Sequence, residues 1–226
     1  MYKFFKKPVL NEATVAKNPF LQFEKWYREA HRILGEEANT MTLATSANNQ
    51  PNARIVYLRG NDKKSLPVGK QTFWFFTNYR GQKAIELKKN NKACLLFFWP
   101  RMDRQVRIQG TVEKLSSKDS DTYFASRERG SQIGAWASPQ SEVIYGRKEL
   151  ENLVEKYTSL FEGKTIPRPS HWGGYRLIPS SFEFWQGQEN RLHDRIFFSR
   201  LPSLSAKEVG QGKQKNSKWK TERLSP

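Results

Sequence analysis

Between Thr40 and Glu113 the chain falls into five short runs rich in β-branched, aromatic and aliphatic residues: Thr40–Thr45, Arg54–Arg59, Thr72–Thr77, Ala93–Trp99 and Arg104–Glu113. Gly, Pro, Asn and Asp punctuate the intervals. In the fifth run Val106, Ile108 and, past a glycine, Val112 alternate with polar residues, the pattern of a strand with one buried face. Three further runs follow at Tyr175–Ile178, Ser181–Trp185 and Asp194–Ser199. Phe73–Phe76 and Leu95–Trp99 are unbroken apolar runs, so those two strands are expected to be covered on both faces. Helical patterns gather between groups of strands instead of following every strand. The expected class is therefore α+β, built on an antiparallel barrel. No G-x-G-x-x-G follows a strand, which disfavours a Rossmann nucleotide site.

The helices have their own signals. Asn18-Pro19 reads as a cap followed by proline at the first helical position. Phe20, Phe23, Tyr27, Ala30 and Leu34 then recur at helical spacing, and Gly35 ends the run. Gln82–Asn90, Lys118–Arg127 and Arg147–Phe161 are further helices, the last with Leu150, Val154, Tyr157 and Phe161 as one stripe. Residues 1–18 have weak periodicity and are expected to form a flexible lead-in, leaving residues 19–226 as one domain. Asn61–Gln71 is a long hairpin connection.

Composition narrows the function classes. The chain is 37% hydrophobic and 13% aromatic, enough to bury a real core. No apolar run approaches the roughly 20 residues that span a bilayer. Met1–Pro8 lacks the apolar stretch and cleavage site of a secretory signal. Cys94 is the single cysteine, so no intrachain disulfide forms, and a reducing, cytoplasmic location is expected. His31, His171 and His193 lie far apart with no ligand spacing, and no metal site is expected. Thirty-nine Lys and Arg against 22 Asp and Glu give a net charge of +17. Such a field attracts nucleic acid, anionic lipid or small phosphate esters alike. Part of the excess lies in Lys207–Arg223, which reads as a solvated loop or arm.

Four clusters of cationic or hydrogen-bonding residues point to anion binding. Arg191, His193 and Arg195, near Trp185, would project from one side of an extended stretch, with Asp194 opposite. Guanidinium matches phosphate or carboxylate in a bidentate manner. Arg54 and Arg59 close the two ends of an apolar strand. Phe76-Thr77 leads over a turn to Lys83 at a helix start, where free backbone N–H groups favour an anion. Tyr123, Arg127 and Ser131 are spaced four and four, on one face of a continued helix. Gln140-Ser141 is a polar loop without a feature of its own. Each cluster has a plainer reading as solvated charge. Together they look built to hold anions around a reagent the protein does not supply, as in a cofactor enzyme.

These segments, in this order, resemble the pyridoxamine 5′-phosphate oxidase family. The resemblance runs from Asn18 to Pro226 through NPFLQFEKWYREA, MTLAT, RQVRIQG, SQIGAWAS, WGGYR, EFWQGQ…NRLHDR and the closing ERLSP. It implies a split β-barrel with flanking helices, and a homodimer with FMN at the subunit interface. Carried over by motif, the FMN ligands are Arg54, Ile55, Val56, Tyr57, Phe76, Thr77, Lys83, Gln105, Gln140, Ser141, Trp185 and Arg195. The substrate ligands are Arg59, Tyr123, Arg127, Ser131, Arg191 and His193, with Arg191 and His193 acting in catalysis. The implied reaction oxidises pyridoxamine 5′-phosphate or pyridoxine 5′-phosphate to pyridoxal 5′-phosphate, with O2 as acceptor and H2O2 as by-product. No nucleic acid or membrane partner is implied.

Two departures stand out. The family's lysine after the first barrel strand is Arg59 here, which keeps the charge and changes its geometry. The family's Ser-Arg-Lys run is Gly81-Gln82-Lys83, which lacks one cation and one hydroxyl, so weaker FMN retention is expected. Two rival readings remain open at this point. One is a split-barrel flavin binder without B6 activity; the other is a basic nucleic-acid-binding module.

Overall fold

The structure, a computed structural model, describes residues 9–59, 71–201 and 219–226. Met1–Pro8, all of the Asn61–Gln71 connection except Gln71, and residues 202–218 of the basic arm lie outside the described residues.

The first helix, α1, spans Pro19–Leu34. The Asn18 side chain accepts the Phe20 N–H at 2.9 Å, Pro19 takes a first-turn position that needs no donor, and Gly35 ends the helix at a φ of 59°. Its buried face carries Phe20, Phe23, Trp26, Tyr27 and Ala30, while Leu34 is only half-buried. The residues just before α1 are not a loose lead-in. Leu10 and Val15 are buried, Asn11 caps a turn through the Ala13 and Thr14 N–H groups, and Arg223 donates to the Leu10 carbonyl and to Glu12. Two apolar side chains and one ion pair hold a segment whose periodicity is too short to read.

The strands are β1 (Thr40–Ala47), β2 (Gln50–Tyr57), β3 (Phe73–Asn78), β4 (Lys92–Trp99), β5 (Arg104–Lys114), β6 (Trp172–Gln186), β7 (Asp194–Arg200) and β8 (Trp219–Arg223). They pair in the order β2-β1-β4-β5-β6-β7-β8, with β3 on β6 outside that path. The β3–β6, β6–β7 and β7–β8 pairs are antiparallel. β3 is covered on both faces, as its continuous apolar run predicts. β4 is not: Ala93, Leu95, Phe97 and Trp99 are buried, but Phe98 is 55% exposed.

The two short strands expected at Tyr175–Ile178 and Ser181–Trp185 are one strand. β6 pairs with β3 over Trp172–Leu177 and with β7 over Ser181–Gln186. Pro179, which has no N–H to give, falls between the two ladders, so it does not break the strand. β8 lies at the end of the stretch expected as a solvated arm. Trp219 explains the difference: its ring packs 5.4 Å from Phe182 and 6.0 Å from Phe20.

The remaining helices are α2 (Gln82–Lys89), α3 (Ser117–Ala125), α4 (Arg129–Ala137) and α5 (Arg147–Leu160). α3 opens on a reciprocal cap, with Ser116 Oγ accepting the Asp119 N–H and donating to the Asp119 carboxylate. No helix among the described residues is long and apolar enough to cross a membrane.

The chain divides into two compact units. The first comprises Met1–Leu43, Cys94–Gly110 and Pro179–Pro226; the second comprises Ala44–Ala93 and Thr111–Ile178. Strands β1, β4, β5 and β6 each pass from one unit into the other, so no linker marks the division in the sequence. The first unit has an aromatic core. Phe23 meets Phe97 at 5.1 Å, Trp26 meets Phe184 at 5.4 Å, and Phe184 meets Phe198 at 5.8 Å. The second unit is centred on Phe124, Ile133, Phe161, Ile166 and Trp172. Phe23 is fully buried and touches the rings of Tyr27, Phe97 and Trp99. Its replacement by alanine is expected to destabilise the protein by about 3–5 kcal/mol, measured by urea unfolding.

Candidate functional site

The second unit gathers most of the predicted phosphate ligands around a buried acid. Glu86, on the inward face of α2, is 4% exposed. Its carboxylate accepts from Thr45 Oγ1 at 2.6 Å, Asn52 Nδ2 at 2.8 Å, Arg54 Nη2 at 2.8 Å and Gln82 Nε2 at 3.0 Å. Arg54 also donates to Thr45 Oγ1, so strand β2 presents its guanidinium held in place through both terminal nitrogens. One helical turn earlier, Lys83 Nζ donates to Thr77 Oγ1 at 3.1 Å and to Gln140 Oε1 at 2.8 Å. Ser141 Oγ accepts the Gln82 N–H at 3.2 Å, at the first turn of α2. Arg54, Thr77, Lys83, Gln140 and Ser141 thus come together as a donor-rich corner.

Electrostatics in this corner are finely balanced. Burial, and then the neighbouring Arg54 charge, push the Lys83 ammonium below its ordinary pKa, and Glu86 partly offsets them. Burial also opposes ionisation of Glu86. The hydrogen bonds from Thr45, Gln82, Asn52 and Arg54 overcome it and hold the carboxyl down to about 2. Gly81 lies hard against Gln140. A Cβ there would sit 2.6 Å from Gln140 Oε1, so a side chain at position 81 would disturb the Gln140–Lys83 bond.

Along β2 the predicted cofactor residues alternate. Val56 is buried, while Ile55 and Tyr57 are exposed. Arg59 donates its backbone N–H to Trp74 at 2.9 Å and holds its guanidinium 5.0 Å from the Tyr57 ring.

A cavity of about 230 Å3 opens in the same unit, lined by Asn78, Arg127, Ser131, Ser138, Gln140 and Trp172 among others. It joins predicted substrate ligands, Arg127 and Ser131, to a predicted cofactor ligand, Gln140. The Arg127 guanidinium lies 4.6 Å from the Trp172 ring centroid, and its Nη1 is buried without a hydrogen-bond partner among the described residues. Burial is the main cause lowering its pKa; Tyr123 opposes this and Arg59 adds to it. A guanidinium with one buried, unused donor calls for an acceptor there. Tyr123 packs against Phe76, with ring centroids 3.8 Å apart, so one predicted substrate residue and one predicted cofactor residue form a single stack.

The continued helix expected through Tyr123, Arg127 and Ser131 does not exist. Ser126 Oγ donates to the Tyr123 carbonyl at 2.8 Å and α3 stops at Ala125. Arg127 lies in the break and Ser131 on α4, and the cavity still receives both.

The first unit holds the other predicted residues. Trp185 on β6 is in register with Arg195 on β7. Arg195 Nε donates to Glu183 Oε1 at 2.9 Å, and its Nη1 to the Ser225 carbonyl at 2.6 Å. Buried Glu183 also binds Arg107. Gln105 is half-buried on β5. The expectation of Arg191, His193 and Arg195 alternating along an extended stretch fails. β7 begins only at Asp194, because Asn190 and Arg191 adopt φ values of 54° and 61° and fold the chain into a turn. Arg191 is exposed on that turn. His193 lies 4.6 Å from the Trp185 ring, and its Nδ1 accepts the Gln188 N–H at 3.1 Å.

Sequence reasoning missed Glu86 and Thr45, which anchor Arg54, Asn52, which braces Glu86, and Glu183, which anchors Arg195. An acid one turn after Lys83 on an amphipathic helix was the available signal for Glu86.

Glu86 also gives a pH signature. Its carboxyl is depressed from about 4.5 to about 2, so its stabilisation is complete above pH 4.5 and is lost as pH falls toward 2. Glu86→Gln is expected to lower stability at pH 7 by about 2 kcal/mol. It is also expected to flatten the fall in melting temperature between pH 4.5 and 2, as followed by circular dichroism.

Comparison with known proteins identifies the family and the fold. The family model described as pyridoxamine 5′-phosphate oxidase matches residues 27–161. The model for the pyridoxine 5′-phosphate oxidase C-terminal dimerisation region matches residues 172–226. A relative from Cupriavidus necator named pyridoxine/pyridoxamine 5′-phosphate oxidase is 47% identical over 96% of this chain and 93% of its own. One of the same name from Burkholderia cenocepacia is 47% identical over 98% and 95%. Among solved structures, PhzG from Burkholderia lata, in complex with tetrahydrophenazine-1-carboxylic acid, superposes with a TM-score of 0.81 at 24% identity, covering 98% of this chain and 100% of that one. A pyridoxamine 5′-phosphate oxidase-related, FMN binding protein from Nostoc punctiforme gives 0.67 at 16% identity, covering 92% and 98%. The antiparallel α+β fold expected from the sequence, a split β-barrel, is the fold of these neighbours. Matched by both models and nearly half identical to these relatives along almost its full length, the chain belongs to the pyridoxamine 5′-phosphate oxidase family.

Proposed function

We propose that this chain is an FMN-dependent oxidase of pyridoxamine 5′-phosphate and pyridoxine 5′-phosphate, active as a homodimer with its sites at the subunit interface. The observation that carries the reading is Arg127: a half-buried guanidinium whose Nη1 is buried without a hydrogen-bond partner among the described residues, on a cavity shared with Ser131 and Gln140. A phosphate oxygen is the acceptor that suits it, since charge-assisted bonds to guanidinium are the stronger kind. The donor set at Arg54, Thr77, Lys83, Gln140 and Ser141, by the first turn of α2, fits a second phosphate, that of FMN. Two separate phosphate-holding sets are what a phosphorylated cofactor and a phosphorylated substrate require. The substrate set argues against a flavin binder without B6 activity.

The chemistry supplied by bound FMN is two-electron oxidation at C4′ of the substrate, with O2 as final acceptor and H2O2 as product. The protein's own residues orient the partners, which is proximity catalysis. Arg127 and Ser131 hold the substrate phosphate, with Tyr123 and Arg59 beside them. Arg191 and His193 bind at the reacting end. Because His193 Nδ1 accepts the Gln188 N–H, the neutral ring carries its proton on Nε2, which is then free to donate to the substrate heteroatom. Trp185 and Arg195, the latter fixed by Glu183, contact the flavin, with Gln105 and the β2 segment Ile55, Val56 and Tyr57. Phe76 completes the set.

The test is the absorption spectrum of protein loaded with FMN under anaerobic conditions. Addition of pyridoxine 5′-phosphate is expected to bleach the flavin band, and admission of O2 to restore it. Arg191→Leu is expected to bind FMN normally and bleach at least about a hundredfold more slowly, the scale of a lost catalytic contact. An unbleached band in the wild-type protein contradicts the proposed reaction.

A further inference from the structure

The turn of α2 that carries Lys83 also carries a full negative charge, and nothing in the reaction proposed above uses it. Glu86 takes one carboxylate oxygen to Arg54 and Thr45 and the other to Asn52 and Gln82. Gln82 is the first residue of α2. Its side chain is spent on Glu86, four residues on, rather than on a ligand. Two cations, Arg54 and Lys83, therefore share their corner with one buried anion, leaving one net positive charge to meet a phosphate. A phosphate monoester brings about −1.5 to −2. The Lys83 ammonium senses both neighbours, Arg54 unfavourably and Glu86 favourably.

We propose that Glu86 is a built-in counter-anion that limits how tightly the phosphate of the flavin cofactor is held. It acts through Arg54 and is a positioning residue, not a catalytic one. This rests on the flavin reading above. Its carboxylate fixes the Arg54 guanidinium in place and at the same time cancels one of the two charges that the phosphate meets. The corner is thus ordered in advance and only weakly positive. Cofactor exchange, not permanent retention, is the consequence.

The test compares FMN with riboflavin, which has the same ring system and no phosphate. Fluorescence titration of FMN-free wild-type protein, Glu86→Gln, Glu86→Ala and Gln82→Arg gives the dissociation constants. Glu86→Gln keeps the shape and removes the charge. It is expected to tighten FMN at least about fivefold and to leave riboflavin within about twofold, with the FMN gain shrinking as salt is raised. Gln82→Arg, at an exposed position, puts a competing guanidinium beside Glu86. It adds a cation whatever Glu86 does and is the control for added charge; Glu86→Ala, which removes the same carboxylate, is expected to tighten FMN as well and carries the test should Glu86→Gln fail to fold. FMN affinity unchanged or weakened in the folded Glu86 variants overturns the proposal, because a purely structural Glu86 predicts loss of binding. Equal tightening of riboflavin overturns it as well. Wild-type protein that binds neither flavin removes the flavin reading itself, a result distinct from either.

Discussion

A guanidinium drawn partly out of water needs acceptors for the donors it buries, and the second unit half-buries two, Arg54 and Arg127. Arg54 is answered from within the chain, by Glu86 and Thr45. Arg127 is answered on one side by the face of Trp172 and has Nη1 left over. The difference separates a cation braced in advance from one that still has a bond to give. The surrounding structure serves this contrast. α2 brings Glu86 and Lys83 to β2 and β3, the α3–α4 break places Arg127 over Trp172, and Gln140 reaches both the Lys83 corner and the Arg127 cavity. Leaving a buried donor unanswered is costly, and a ligand acceptor at Nη1 is what the proposed function supplies.

The first unit is organised differently. Its predicted residues include two, Arg195 and His193, that are held by neighbours not predicted as site residues. Glu183 fixes Arg195, the Gln188 N–H fixes the His193 ring, and Asp194 is tied to Leu10, Gln188 and Arg223. Residues at the two ends of the chain thus brace the loop that carries Arg191 and His193. That gives the ordered segment before α1 and strand β8 a physical role in positioning.

Much of the fold was legible because its periodicities are clean. The α1 stripe, the alternation in β5 and the double coverage of β3 follow from spacing alone. Failures arose where tertiary contacts outweighed local pattern. One β6 strand read as two because Pro179 looks like a terminator, and only the change of ladder partner makes it tolerable. A continued helix through Arg127 looked sound at four-residue spacing, yet one Ser126 hydroxyl ends it. The Arg191–Arg195 run read as extended because left-handed φ values at Asn190 and Arg191 leave no mark in composition. In the site, cationic residues were visible as clusters, and the acids that hold them were not, since a lone Glu86 or Glu183 looks like any surface charge until its burial is known.

The central claim is that Arg127 waits for a phosphate. A crystal structure of the protein with pyridoxal 5′-phosphate bound tests it most directly. The account predicts a phosphate oxygen about 2.7–2.9 Å from Arg127 Nη1, within reach of Ser131. A ligand whose phosphate is held elsewhere, with Nη1 facing only protein, would contradict it.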